Sequence, residues 1–190
     1  MVNRRKGFTL AELLIVVAIV GILVAVSIPI FSSQLEKSRE ATDLANMRAA
    51  KALAIAAYYD VESGDKTSPN IGGLSQTTGG GKTVAYQGYY NYGSGTFTGI
   101  EAPRTVNGYG GKGTTIDTGN SYTNYNSTMD YKEYGIFVEI VTDTTWGRNY
   151  LPDEIKALGT QGKGILLHWR YVHSNRNYSP VYGFEWIPLE

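Results

Sequence analysis

Between Phe8 and Phe31 the chain carries a single charged side chain, Glu12. A carboxylate inside an apolar run is costly in lipid and marks a function or a partner. Other residue groupings invite chemistry and fail on spacing. Ser75-Gln76-Thr77-Thr78-Gly79-Gly80-Gly81-Lys82-Thr83 ends as a phosphate loop does. That motif needs a glycine five residues before Gly81, where Gln76 stands, and a preceding strand. Gly108 to Gly113 has the glycine spacing of a dinucleotide fingerprint, but no helix pattern follows in Thr114 to Asn120, so a flexible loop is expected. Asp117, Asn120, Asn124, Asn126 and Asp130 offer oxygens for calcium at a spacing that matches no EF-hand, and Asx turns explain the same letters. His168 and His173 are five apart on an expected strand and fall on opposite faces. His168 beside Trp169 reads as a satisfied, half-buried histidine, with no serine or cysteine nucleophile motif in company. No metal, cofactor or catalytic group is therefore expected, and the chain does not read as an enzyme.

Composition narrows the classes further. The 190 residues hold 17 Lys+Arg and 17 Asp+Glu, a formal net charge of zero, which gives no electrostatic case for binding nucleic acid. Zero cysteines remove disulfides, thiolate nucleophiles, iron–sulfur clusters and cysteine-ligated zinc together. The 15 tyrosines, concentrated from Tyr86 to Tyr182, suit pleated strands, and a patch for sugars or host protein is a second use of the same residues.

The element that must hold Glu12 is a helix. Phe8 to Phe31 would rise roughly 36 Å, enough for a hydrocarbon core of about 30 Å, and Arg4, Arg5 and Lys6 ahead of it place its N-terminal end in the cytoplasm. A secretory signal cut after Ala25-Val26-Ser27 fits poorly: the apolar run is too long and Pro29 lies just beyond. A plain membrane anchor leaves Glu12 unexplained.

The run Arg4-Arg5-Lys6-Gly7-Phe8-Thr9-Leu10-Ala11-Glu12-Leu13-Leu14-Ile15 resembles the class III signal of type IV pilins and pseudopilins. In that family a short basic leader ends in glycine, a membrane peptidase cuts before the apolar segment, the new first residue is N-methylated, and the fifth residue is glutamate. The resemblance implies cleavage between Gly7 and Phe8, N-methylation of Phe8 and a role in assembly for Glu12, with Gly21 and Pro29 matching the helix-breaking positions. A free Phe8 amine would stand about 6 Å along the helix from Glu12, so staggered neighbours could pair the amine of one with the carboxylate of the next. A Glu12 that only snorkels to the interface is the alternative. The implied partners are a prepilin peptidase, a membrane assembly platform, membrane lipid before assembly and other copies in a helical homopolymer. The implied product is the subunit of an extracellular type IV pilus, first a single-pass precursor in the cytoplasmic membrane. A pseudopilin of a secretion or DNA-uptake machine is the second reading, and a membrane-tethered enzyme or receptor head the third. The absence of cysteines departs from the family's common disulfide-stapled C-terminal loop.

The rest is read from periodicity. Leu44, Met47, Ala50, Ala54, Ala57 and Val61 recur at three and four, so one helix is expected from about Phe8 to Asp60, bent at Pro29. Glu36 with Arg39, and Arg39 with Asp43, suggest a solvated opposite face. Ser63 to Gly81 reads as a loop. Strands are expected over Lys82–Tyr92, Gly95–Ile100, Glu133–Val141, Gly164–Val172 and Val181–Ile187, with Pro103–Met129 a surface excursion and a short helix over Pro152–Leu158. The expected fold is α+β, an antiparallel sheet of about four strands on the second half of the long helix. Its segments are a leader, 1–7; an apolar half-helix, 8–31; an amphipathic half-helix, 32–62; and a β-rich head, 63–190.

Overall fold

The computed structural model describes residues 7–62, 70–79, 81–100, 106–111, 131–142, 163–172 and 182–189. The chain is α+β: one long helix, α1 (Leu10–Glu62), followed by an antiparallel sheet. It divides into two compact units, Met1–Ser38 and Arg39–Glu190.

In the first unit, α1 is long and apolar enough to cross a membrane, and its large side chains from Leu10 to Phe31 are exposed. Aliphatic residues on every side make a helix that needs lipid or protein around it. The helix runs unbroken through Gly21 and Pro29.

In the second unit, Met47, Ala50, Ala54, Ala57 and Tyr58 form the buried stripe of α1. Alanine at three successive turns lets the sheet approach closely. The strands are β1 (Asn70–Ile71), β2 (Leu74–Gly79), β3 (Lys82–Asn91), β4 (Thr96–Thr98), β5 (Tyr134–Val141), β6 (Gly164–Tyr171) and β7 (Tyr182–Pro188). They run in the order β1-β2-β3-β5-β6-β7, with β4 also paired to β3, and every pairing is antiparallel. Alternate residues of the central strands, among them Tyr86, Tyr90, Ile136, Val138, Ile140, Ile165, Leu167 and Trp169, pack with the helix stripe in one core. Each fully buried Ile or Leu there contributes about 1.5–3 kcal/mol. The intervening residues are buried too: Tyr89, Phe137 and Val106 form a smaller cluster, with the Tyr89 and Phe137 rings edge-on at 4.8 Å. Burial on both faces explains why β5 reads as a nearly continuous apolar run, Tyr-Gly-Ile-Phe-Val-Glu-Ile-Val.

Four expectations change. The stretch Ser63–Gly81 is not all loop: β1 and β2 form a hairpin across Gly72-Gly73, whose φ values of 57° and 93° are those of a two-residue turn that favours glycine at both positions. The sheet has seven strands, because β1 and β2 extend it. Within the expected excursion Pro103–Met129, the described residues 106–111 are held on the sheet: Val106, Gly108 and Gly110 are buried, and Asn107 bridges Gly135. Asp43, expected on a solvated face, is buried. The helix expected over Pro152–Leu158 lies outside the described residues.

Candidate functional site

Thr9 starts α1, and it does so through Glu12. The Glu12 Oε2 accepts hydrogen bonds from the Thr9 backbone N–H and the Thr9 hydroxyl, both at 2.8 Å, while the Thr9 Oγ1 accepts from the Glu12 N–H at 3.3 Å. The first turn closes with the Leu13 N–H donating to the Thr9 carbonyl. This is a capping box: a threonine at the N-cap and a glutamate three residues on satisfy each other's backbone donors. The pattern Thr-x-x-Glu stands in the sequence, and it identifies Thr9 as a site residue that the reading of Glu12 alone had missed.

The geometry leaves the carboxylate half used. Both bonds from Thr9 fall on Oε2, so among the described residues Oε1 has no donor. Phe8 is 82% exposed beside it, and a Cβ added at Gly7 would meet nothing within 4 Å. The bond between Gly7 and Phe8 thus lies just outside the helix, in a place open to an enzyme. Gly21 has open space around its Cα and lies on the exposed surface of the same helix. Arg4, Arg5 and Lys6 lie outside the described residues.

The head holds two buried polar constellations. Asp43 on α1 is fully buried, and its carboxylate accepts the Tyr109 N–H at 2.8 and 3.0 Å and the Gly110 N–H at 2.7 Å. On the sheet, Gln87 donates to the Glu139 Oε2 at 3.1 Å, and the His168 Nε2 lies 3.3 Å from the Glu139 Oε1. His168 is therefore a buried, partnered histidine. Burial pushes the Tyr89 hydroxyl above its ordinary pKa, against the nearby Arg170 guanidinium, and burial with the Asp43 charge pushes Tyr92 well above its own. Ser75–Gly79 and Lys82–Thr83 are paired strand residues of a hairpin, which disposes of the phosphate-loop spacing. Among the described residues, no three His, Cys, Asp or Glu side chains gather to hold a metal ion. The calcium candidates Asp117, Asn120, Asn124, Asn126 and Asp130, and His173, lie outside the described residues.

An exposed apolar helix that opens on a capped glutamate, and a later part of the same helix packed with an antiparallel sheet, agree with the resemblance to type IV pilins. The family profile described as the prokaryotic N-terminal methylation motif matches residues 2–28. The chain is similar to "Fimbrial protein Q" of Moraxella bovis, 34% identical over 101 residues, which are 50% of this chain and 63% of that protein. It is 35% identical over 82 residues to "Type IV major alpha-pilin" of the same organism, 40% of this chain and 52% of the other. A longer match, 29% identical over 163 residues, covers 83% of this chain and 99% of a "Fimbrial protein" of Dichelobacter nodosus. The chain thus spans 63% and 52% of the length of the two Moraxella relatives. No solved structure matches it.

Proposed function

We propose that the chain is the structural subunit of an extracellular type IV pilus. The observation that carries this is the conjunction, within residues 2–28, of a methylation motif with an exposed apolar helix whose one carboxylate retains an open oxygen. On this reading residues 1–7 are a leader, removed by a prepilin peptidase between Gly7 and Phe8. Phe8 becomes the N-methylated first residue. Residues 8–31 anchor the precursor in the cytoplasmic membrane and later form the filament core, 32–62 continue the helix under the head, and 63–190 face outward. A membrane assembly platform passes the subunit from lipid to polymer.

Cleavage creates the reaction partner for Glu12. The new Phe8 amine is a cation, and the Glu12 Oε1 is the acceptor left free by the capping box. In lipid, the Thr9 bonds keep the carboxylate from being wholly unsatisfied. When a second helix arrives in the right stagger, its amine adds a charge-assisted bond and both buried charges gain a partner. An out-of-register helix leaves two unpaired charges, so the same pair that joins subunits also selects their register. The test is Glu12→Ala, followed by membrane fractionation, N-terminal processing and counts of surface filaments. Insertion and processing are expected to persist while filaments fall at least tenfold. Normal filament numbers would leave Glu12 without an assembly role.

A further inference from the structure

The strap of residues 106–111 that lies on the sheet carries the chain's one Asn-Gly pair, Asn107-Gly108. In such a pair the glycine nitrogen can attack the asparagine side-chain carbonyl, because no Cβ blocks the close approach. The bond from Gly108 N to Asn107 Cγ forms as the N–H proton passes to hydroxide. The bond from Cγ to Nδ2 breaks, and Nδ2 takes up a proton and leaves as ammonia. Water then opens the cyclic succinimide at either carbonyl, which leaves aspartate or an isoaspartyl linkage. The net reaction is amide plus water to acid plus ammonia.

The fold opposes each step. The Gly108 N–H, whose proton must leave, donates to the Tyr134 carbonyl at 2.8 Å. The Asn107 Nδ2 donates to the Lys132 carbonyl, which ties the side-chain amide to the neighbouring segment. The Asn107 Oδ1, on which negative charge would develop during attack, is buried with no donor among the described residues. The strap is also held on both sides of the pair: Val106 is buried with Tyr89 and Phe137, and the Tyr109 and Gly110 N–H groups end on Asp43. A Cβ at Gly108 would stand 2.7 Å from the Tyr131 carbonyl oxygen and 3.0 Å from the Trp169 ring. The missing Cβ that seats the strap is thus the same one that makes the pair reactive once the strap is unseated.

We propose that Asn107-Gly108 is a deamidation site that the seated strap keeps closed, so that an opening of residues 106–111 from the sheet is what lets the amide become a carboxylate. The product cannot be seated as before. Aspartate at 107 loses the Nδ2 donor and sets a carboxylate against the Lys132 carbonyl, acceptor on acceptor. An isoaspartyl linkage lengthens the backbone between the bridge to Gly135 and the bond to Tyr134. Opened heads therefore accumulate in a more acidic, looser form, and the Asp43 clamp sets how often the strap opens. The inference concerns the head alone and rests on neither cleavage nor polymerisation.

The full chain in detergent micelles, held at mildly alkaline pH, tests it: mass spectrometry of the peptide containing residue 107 follows conversion of amide to acid, and enzymatic methylation counts isoaspartate. The folded wild type should convert at least about tenfold more slowly than the same chain in urea, because reaction waits on a minor open state. Asp43→Ala should convert roughly tenfold faster than wild type and Asp43→Asn by a smaller factor, while Tyr109→Ala keeps its amide on Asp43 and should stay near the wild-type rate. Gly73→Ala weakens the β1–β2 hairpin and leaves every strap bond in place, so it should convert more slowly than Asp43→Ala. Asn107→Asp supplies the product directly, and hydrogen exchange of its Gly108 amide should be at least about tenfold faster than in wild type. Four results would each overturn the proposal: equal conversion folded and in urea, no acceleration in Asp43→Ala, equal conversion in Asp43→Ala and Gly73→Ala, or wild-type exchange in Asn107→Asp.

Discussion

Replacing Asp43 removes a clamp made of one carboxylate and two backbone amides. Asp43 is 0% exposed, and the Tyr109 and Gly110 N–H groups point at it from 2.7 to 3.0 Å. A hydrogen bond to a charged group is worth about 1.5–3 kcal/mol, and a buried donor left without a partner costs its full desolvation. Asp43→Ala orphans two donors and should cost the head about 3–5 kcal/mol. Asp43→Asn keeps the shape and one acceptor oxygen and should cost about half as much. Tyr109→Ala is the internal control: it keeps the amide on Asp43 and loses only the ring stacked on Tyr92 at 5.6 Å, worth about 1 kcal/mol. Urea unfolding of the full chain in micelles, followed by tryptophan fluorescence, reads these differences. With a slope of about 2 kcal/mol per molar, the Asp43→Ala midpoint should fall by about 1.5–2.5 M. A fall no larger than that of Tyr109→Ala would refute the clamp.

Two further outcomes follow from the head. Gly73→Ala should cost about 2–5 kcal/mol, because at φ 93° its Cβ would stand 2.0 Å from the Phe97 carbonyl oxygen, whereas Gly95→Ala, at φ 66° in open space, should cost only the left-handed strain of about 1–2 kcal/mol; equal urea midpoints would contradict this. Tyr89 and Tyr92 hold their protons more tightly folded than unfolded. Their stabilisation is therefore complete below the ordinary tyrosine value of about 10 and lost as pH rises past it. The urea midpoint should hold up to about pH 10 and drop as pH rises beyond it, less steeply in Tyr92→Phe.

What could be read from the residues depended on how local the physics was. Glu12 in an apolar run, the three-and-four spacing of Met47, Ala50, Ala54 and Ala57, and the aromatic and β-branched runs of β3, β5 and β6 are signals set by near neighbours, and all three elements stand where they were expected. Asp43 shows the limit. An i,i+4 arrangement with Arg39 looks the same whether the acid faces water or the sheet, and the amides that decide the matter belong to residues 66 and 67 positions later. The Tyr109–Gly110 segment was hidden for the same reason, since glycine-rich composition describes a loop equally well when a distant carboxylate pins it. The β1–β2 hairpin escaped notice because β1 is two residues long, although Gly72-Gly73 is a turn signal. The Thr9–Glu12 box is local, Thr-x-x-Glu being a capping pattern, and the carboxylate that stands out by its charge in an apolar run also starts the helix.

The N-terminus of the chain in its extracellular form tests the central claim most directly. Mass spectrometry of filaments sheared from cells that express this chain reads that residue, its modification and its abundance together. The account predicts a chain beginning at N-methylated Phe8, lacking Arg4, Arg5 and Lys6, as a principal filament component. An intact N-terminus at Met1, or a start near Ile28 as a secretory signal would leave, would contradict it.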